Sequence, residues 1–462
     1  MSQVKLFQNV TSVRGWMCLH VLLTAPTVPL CLRRWRPKMA KYVIVGASAA
    51  GISAVEAIRE VDPVGTITVI SEEPYAQYSR PMISDLVSGK ASFEKMLCRG
   101  SQFWEKNSVQ ALMGQRAIGL NLNEKYVALD NGTRVSFEKL LIATGGKPFM
   151  PKIEGSDKDG VFTFTKLSDA EHLAAKIANA KSAVVVGGGL IGVSVTEALV
   201  NRGLKVTLVE LQDKILSLIL DATASAIVAD MMERRGVTIV TGHSVHRILG
   251  KPEEDQVVGG VVLTNGNKIQ CDIVIIAIGV VPRTELVSGT DVKTNRGILV
   301  DRFMRTSVPD VYASGDVAEA YDFICGENRL LPLWPLAQLE GRVAGYNMAG
   351  KKAEYPGGTA MNALKYFGIP VISIGLVNPK NADDYEILTK YEPAKRVYKK
   401  LVLKENVIVG ILLLKDIERA GILFNLMKNG VNVKKFKQAL LSENFGLAAL
   451  PSSLRKRLYL EG

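Results

Sequence analysis

The 462-residue sequence is poor in the residues that build metal and disulfide chemistry: it has five cysteines and four histidines. No CxxC or CxxxxC pair occurs among Cys18, Cys31, Cys98, Cys271 and Cys325. That excludes a disulfide scaffold, a zinc ribbon and a dithiol redox centre, and it favours a reducing compartment, so a cytoplasmic location is expected. His243 and His246 have no third ligand nearby in sequence and His172 stands alone, so no metal site is expected. An uninterrupted apolar run long enough to span a bilayer is also missing. The nearest stretch, 15–32, is broken by Pro26 and Pro29 and is followed by no small-residue cleavage site. Acidic residues are absent from positions 1–39, which hold Lys5, Arg14, Arg33, Arg34, Arg36 and Lys38. Six units of the formal net charge of +12 therefore belong to this segment, which is expected to lie outside the folded domains, with targeting and anchoring roles as its alternatives. Elsewhere the basic residues are scattered apart from short runs such as Lys399-Lys400, Lys434-Lys435 and Arg455-Lys456-Arg457, which read as solvated faces. Neither a nucleic-acid nor a membrane partner is expected.

What is present is an apolar-rich globular chain, 47% hydrophobic and 22% charged, long enough for about three domains. A short β-type run, Tyr42 to Val45, leads into Gly46-Ala-Ser-Ala-Ala-Gly51, a helical pattern, a second strand from Thr66 to Ile70, and then Glu72 and Glu73. This is the order of a dinucleotide-binding βαβ unit, with Ser48 at the middle glycine position. The arrangement recurs about 140 residues later: strand Ala183 to Val186, Gly187-Gly-Gly189-Leu190-Ile191-Gly192, a helix, strand Lys205 to Val209, and Glu210. In this complete copy Gly187 makes the turn, Gly189 admits phosphates and Gly192 lets helix and strand pack. Glu210 can accept from both ribose hydroxyls and would repel a 2′-phosphate, which favours NADH over NADPH. Two such units in one chain predict two dinucleotide sites. Apolar runs ending in small residues, Lys139 to Gly146 and Asp272 to Gly279, read as crossings between interleaved domains. A strand Val311 to Ala313 stops at Gly315-Asp316 before an expected helix. Asp316 there reads either as an ordinary helix cap or as a carboxylate for a ribityl hydroxyl.

With these motifs in view, the sequence resembles the FAD-dependent pyridine nucleotide-disulfide oxidoreductases, in the branch without a redox disulfide: rubredoxin and ferredoxin reductases, NADH oxidases and the flavin module of nitrite reductases. The resemblance rests on GASAAG with Glu72 and Glu73, PYAQYSRP (74–81), LIATGG, GGGLIG with Glu210, AIGVVPR, VYASGD and LWPLAQLEGRVAGYNMAG (333–350), in the family's order. It implies an α/β fold with two interleaved Rossmann-like domains binding FAD (40–148 and 280–352) and NAD(P)H (149–279). A C-terminal α+β interface domain (353–462) would pair two subunits into a homodimer, and 1–39 would be an extension. It implies that Gly46, Ser48, Ala49, Ala50, Gly51 and Glu72 or Glu73 bind the ADP half of FAD. Arg80 and Pro81 would lie by the flavin, Thr144, Gly145, Gly279 and Gly315 near the cofactors, and Asp316 on the ribityl chain. Gly187, Gly189, Leu190, Ile191, Gly192 and Glu210 would bind NADH. Trp334 would sit by the flavin ring, its alternative being a plain core residue.

The departures narrow the activity. The stretch where relatives carry a redox cysteine offers Ser79, and Cys98 reads as a buried hydrophobe, so no thiolate nucleophile is expected. Where relatives place a lysine and a glutamate near the nicotinamide, this chain has Asp85 and Ser194. Hydride transfer between stacked rings is a positioning problem that needs no protein acid or base. The sequence therefore predicts an NADH-dependent FAD reductase passing electrons to a small acidic carrier such as rubredoxin, ferredoxin or a nitrite-reductase-like partner. The alternatives are an NADH oxidase using oxygen, and a flavin-bearing signalling protein that binds nucleic acid.

Overall fold

The computed structural model describes residues 40–452 and 454–455. The readings made above for residues 1–39, including Cys18 and Cys31, and for Lys456 and Arg457 lie outside the described residues. Strand Ala40–Val45 is buried on both faces and is flanked in parallel by Ile67–Ser71 and by Arg134–Ile142. Val109–Met113 extends one side of this sheet and Val311–Ala313 pairs in parallel with Arg134–Ile142. A second sheet, wholly parallel, has the order Thr238–Thr241, Lys205–Glu210, Ser182–Val186, Ile273–Ile276, Val161–Thr163. Its central strands are runs of valine and isoleucine because helices or packed segments cover both faces.

The chain passes between these sheets twice. From Arg134–Ile142 of the first it leads to Val161–Thr163 of the second, and from Ile273–Ile276 of the second it returns to Val311–Ala313 of the first. The two passages are tied together, Gly146–Pro148 pairing antiparallel with Val280–Pro282. Helices Ala49–Val61 and Trp334–Met348 pack at very close range, where a Cβ on Gly341 or Gly345 would collide with the backbone of Ala50 or Ala54.

The C-terminal block is a five-stranded antiparallel sheet in the order Met361–Tyr366, Ile369–Gly375, Val407–Leu414, Val397–Lys404, Glu386–Glu392. Successive residues alternate between its faces. Val371, Leu412 and Leu414 pack toward Leu216, Ile219 and Leu220, which lie between strand Lys205–Glu210 and helix Ala222–Glu233. Ile372, Ile411 and Leu413 pack instead under helix Ala420–Lys428.

Two expectations are corrected. No helix follows Asp316: Ala318–Asp322 is a strand, paired with Ile298–Leu299 and Glu327–Leu330, and its Glu319 carboxylate accepts from Gly297 N at 2.6 Å. Ala-Glu-Ala has helical propensity, but pairing on both sides overrides it. Lys399 and Lys400 are not a solvated face. They are 4% and 7% exposed and paired to Asp416 (2.5 Å) and Asp221 (3.1 Å).

Candidate dinucleotide cleft

Both glycine turns open into one continuous cleft of about 1720 Å3. Of the residues expected to bind the dinucleotides or border the flavin, every one lines it except Gly51 and Gly192. Those two serve the turns from behind: a Cβ on Gly51 would collide with the Gly46 carbonyl, and a Cβ on Gly192 with the Gly187 carbonyl. Gly46 itself has φ +119° and abuts Ala143 O, so only glycine fits there. Gly189 differs, because a Cβ there would meet no protein atom within 4 Å. Its smallness therefore serves the space of the cleft rather than the packing of the chain.

Three helices aim their N-termini at this cleft: Ala49–Val61, Leu190–Asn201 and Trp334–Met348. None has a side-chain cap or an acid in its first turn. Their free N–H groups and dipoles favour anionic ligand groups. By contrast, helix Ala222–Glu233, whose first turn does not line the cleft, is capped by Asp221 accepting from Ala224 N at 3.0 Å.

Among the described residues, six buried side-chain polar atoms lack a partner, and Gln77 Nε2, Arg283 Nε and Ser314 Oγ belong to residues lining the cleft. Buried polar groups are seldom left unpaired. Orphaned donors beside free helix ends fit a polar, phosphate-bearing ligand such as a dinucleotide, so the residues present fit FAD at the first turn and NAD(P)H at the second.

The charges are arranged around the same space. Glu72 ends the strand Ile67–Ser71. Burial would raise its carboxyl, but the Arg283 guanidinium, donating at 2.7 Å, with Lys166 and Arg116 nearby, holds it low. Glu73 is held by Arg80 and accepts from Tyr78 Oη at 2.5 Å. Arg80 also donates to Thr165 O at 3.2 Å, and Pro81 occupies the first turn of the short helix Arg80–Met82. Thr144 Oγ1 donates to Arg283 O at 2.8 Å, and Arg283 N donates to Gly145 O at 2.9 Å, so both crossing segments are stapled at the cleft wall. Asp316 lies at the end of Val311–Ala313, its carboxyl raised by burial and lowered in part by Arg80. Trp334 lines the cleft and also packs against the first sheet's core.

Sequence reading missed Glu340. This carboxyl is 2% exposed inside helix Trp334–Met348, accepts from Gly315 N at 2.8 Å and lies 3.5 Å from Tyr355 Oη. Burial, aided by neighbouring Asp316, pushes it up to about 8. Only tertiary packing reveals it, since a glutamate in a helix is ordinarily exposed.

At the second turn, Glu210 accepts from Gly188 N (2.5 Å) and Gln212 N (2.7 Å), which fixes its carboxylate at the strand end. Ser194 Oγ donates to Ser84 Oγ at 3.0 Å, so a neutral pair ties helix Leu190–Asn201 to the short helix Ile83–Ser88. No cysteine of the described residues lines the cleft. Cys98 is half-buried against the first core, Cys271 is buried with its thiol pushed up to about 12, and Cys325 is exposed beside Arg329. No cluster of potential metal ligands occurs among the described residues, and none of their helices is long and apolar enough to cross a membrane.

Residues 40–341 match the pyridine nucleotide-disulphide oxidoreductase family and residues 361–431 match the rubredoxin NAD+ reductase C-terminal domain. The chain is 32% identical to the NADH-dependent phenylglyoxylate dehydrogenase subunit epsilon of Aromatoleum evansii, over 84% of this chain and 91% of that one. It is 29% identical to nitrite reductase [NAD(P)H] of Bacillus subtilis over 86% of its own length, but spans only 48% of that relative. Among solved structures, NADH:rubredoxin oxidoreductase from Clostridium acetobutylicum superposes with a TM-score of 0.72 at 27% identity, covering 87% of this chain and 98% of that one. Members of the family are NAD(P)H oxidoreductases that use FAD, and the chain belongs to the pyridine nucleotide-disulphide oxidoreductase family.

Proposed function

We propose that the protein is an NADH-dependent flavin reductase that delivers electrons to a small acidic protein carrier of the rubredoxin or ferredoxin kind, or to a nitrite-reductase-like partner. The observation that carries this reading is the continuous cleft shared by both glycine turns, in whose lining no cysteine of the described residues takes part. FAD, when bound, supplies a two-electron acceptor that releases electrons singly. The chain's own residues bind, orient and shield. Gly46, Ser48, Ala49, Ala50 and the first helix end, with Glu72, hold the adenosine diphosphate half. Asp316 and Gly315 hold the ribityl side, and Arg80, Pro81 and Trp334 border the ring. Gly187, Gly189, Leu190, Ile191 and Glu210 hold NADH, with Thr144, Gly145 and Gly279 closing the wall between the sites. The thiol-free lining supports transfer to an external carrier rather than covalent disulfide chemistry.

The division into an FAD domain (40–148 and 280–352), an NADH domain (149–279) and a C-terminal domain (353–462) is part of this proposal, as are a homodimer built on the last of these and a cytoplasmic location. The test is an acceptor screen of the NADH-reduced protein against rubredoxin, ferredoxin, oxygen, a quinone and a CoA disulfide. Carrier reduction is expected to outpace oxygen consumption. NADH consumption in air unchanged by any carrier would make the protein an oxidase, and turnover of the CoA disulfide would overturn the thiol-free reading.

A further inference from the structure

The segment between Glu210 and helix Ala222–Glu233 is irregular, yet it is held at many points. Leu216 N donates to Gly188 O at 2.7 Å, which fastens the segment to the second glycine turn itself. Leu216 does so with φ +52°, a conformation that a leucine keeps only where its surroundings enforce it. The enforcing groups come from the C-terminal sheet and from the loop that follows its strand Ile369–Gly375. Asn378 Nδ2 donates to Leu220 O (2.8 Å) and Ser217 O (3.3 Å). Ser373 Oγ, buried, donates to Ile219 O at 2.8 Å. Leu216, Ile219 and Leu220 pack against Val371, Leu412 and Leu414 on the same face. A separate contact reaches the helix that starts at the glycine turn: Tyr366 Oη, on a residue 4% exposed, donates to Leu190 O at 3.1 Å. Leu190, Leu216, Ser217, Ile219 and Tyr366 all line the cleft.

We infer that Tyr366, Ser373 and Asn378 are positioning residues for the nicotinamide dinucleotide: the C-terminal sheet, acting within the same chain, sets the backbone of the second glycine turn and of the segment beside it. This rests on the reading that the second turn takes NADH. The three side chains act by donating to main-chain oxygens. Their loss loosens ground-state binding of the dinucleotide while leaving the first glycine turn and the flavin side of the cleft as they are.

The test uses the full-length, FAD-loaded protein with Tyr366→Phe, Ser373→Ala, Ser373→Thr and Asn378→Ala. Binding of NAD+ and of ADP-ribose is measured by calorimetry, KM for NADH and kcat with ferricyanide as acceptor, and FAD content by absorbance. A lost hydrogen bond of ordinary strength predicts roughly three- to tenfold weaker binding for Tyr366→Phe and Ser373→Ala, and about ten- to thirtyfold for Asn378→Ala, which loses two. KM should rise in step, with kcat within about twofold, FAD content unchanged, and Ser373→Thr near wild type because it keeps the donor. Unchanged affinity in Tyr366→Phe and Asn378→Ala overturns the inference, and so does a loss of FAD in parallel with NAD+, which marks general loosening. If the unaltered protein binds neither NAD+ nor ADP-ribose, the assignment of the second turn has failed instead, and the inference with it.

Discussion

Glu340→Gln isolates one buried charge. The carboxyl faces Gly315 N–H, Tyr355 Oη and the Asp316 carboxylate, and is pushed up to about 8 from an ordinary 4.5. The folded protein thus keeps a proton that the unfolded chain gives up between these values. More protons bound in the folded state mean that stability falls as pH rises through the window from about 4.5 to about 8, then levels off. At 1.36 kcal/mol per pH unit the whole gap sets a ceiling of about 5 kcal/mol, and relaxation around the ionised group brings the expected cost to about 2–5 kcal/mol. At about 2 cal/mol/K of unfolding entropy per residue, a body of this size shifts its Tm by roughly 1 °C per kcal/mol. Glutamine keeps the oxygen that accepts from Gly315 and cannot ionise. Thermal release of FAD fluorescence, followed from about pH 5.5 to 8.5, spans roughly two thirds of that window and should show the wild-type Tm falling by about 1–3 °C more than that of the variant. Parallel slopes for the two proteins would refute the buried ionisation of Glu340.

Three other perturbations are sharply discriminating. Gly189→Ala, which meets no protein atom, should leave Tm and FAD content near wild type while raising KM for NADH about tenfold or more; an unchanged KM would show that no phosphate passes there. Gly46→Ala forces a Cβ into Ala143 O at φ +119°, so FAD-free, unstable protein is expected, several kcal/mol less stable in a denaturant titration; a normally loaded variant would contradict the turn's geometry. Glu210→Ser removes the carboxylate that Gly188 and Gln212 hold at the strand end, so the ratio of kcat/KM for NADH over NADPH should fall about tenfold or more, and an unchanged ratio would detach Glu210 from the ribose.

Much of the site was legible in the sequence because a dinucleotide turn is a local object. Gly51 and Gly192 are demanded by the carbonyls of Gly46 and Gly187 five residues before them, Glu72 directly follows its strand and Glu210 ends its own, whereas Gly46 and Gly187 answer to the distant Ala143 and Ala277. What stayed hidden depends on distant segments. The helix expected after Asp316 is a strand, and the helix end that lines this side of the cleft belongs to Trp334–Met348, whose start carries Pro335 but no capping side chain. Glu340 looks like any surface glutamate until Gly341 and Gly345 bring its helix hard against Ala49–Val61. Lys399 and Lys400 read as a basic face because their partners, Asp416 and Asp221, are separated from them in sequence. Tyr366, Ser373 and Asn378 gave no signal at all, since alternation in the C-terminal strands marks which face is buried but not what lies against it.

If one cleft brings NADH to a flavin without help from a thiol, anaerobic stopped-flow mixing of the FAD-loaded protein with NADH should give rapid bleaching of the flavin absorbance near 450 nm, faster with NADH than with NADPH, and unaffected by alkylation of the cysteines. A flavin that neither nucleotide bleaches, or bleaching abolished by alkylation, would contradict it.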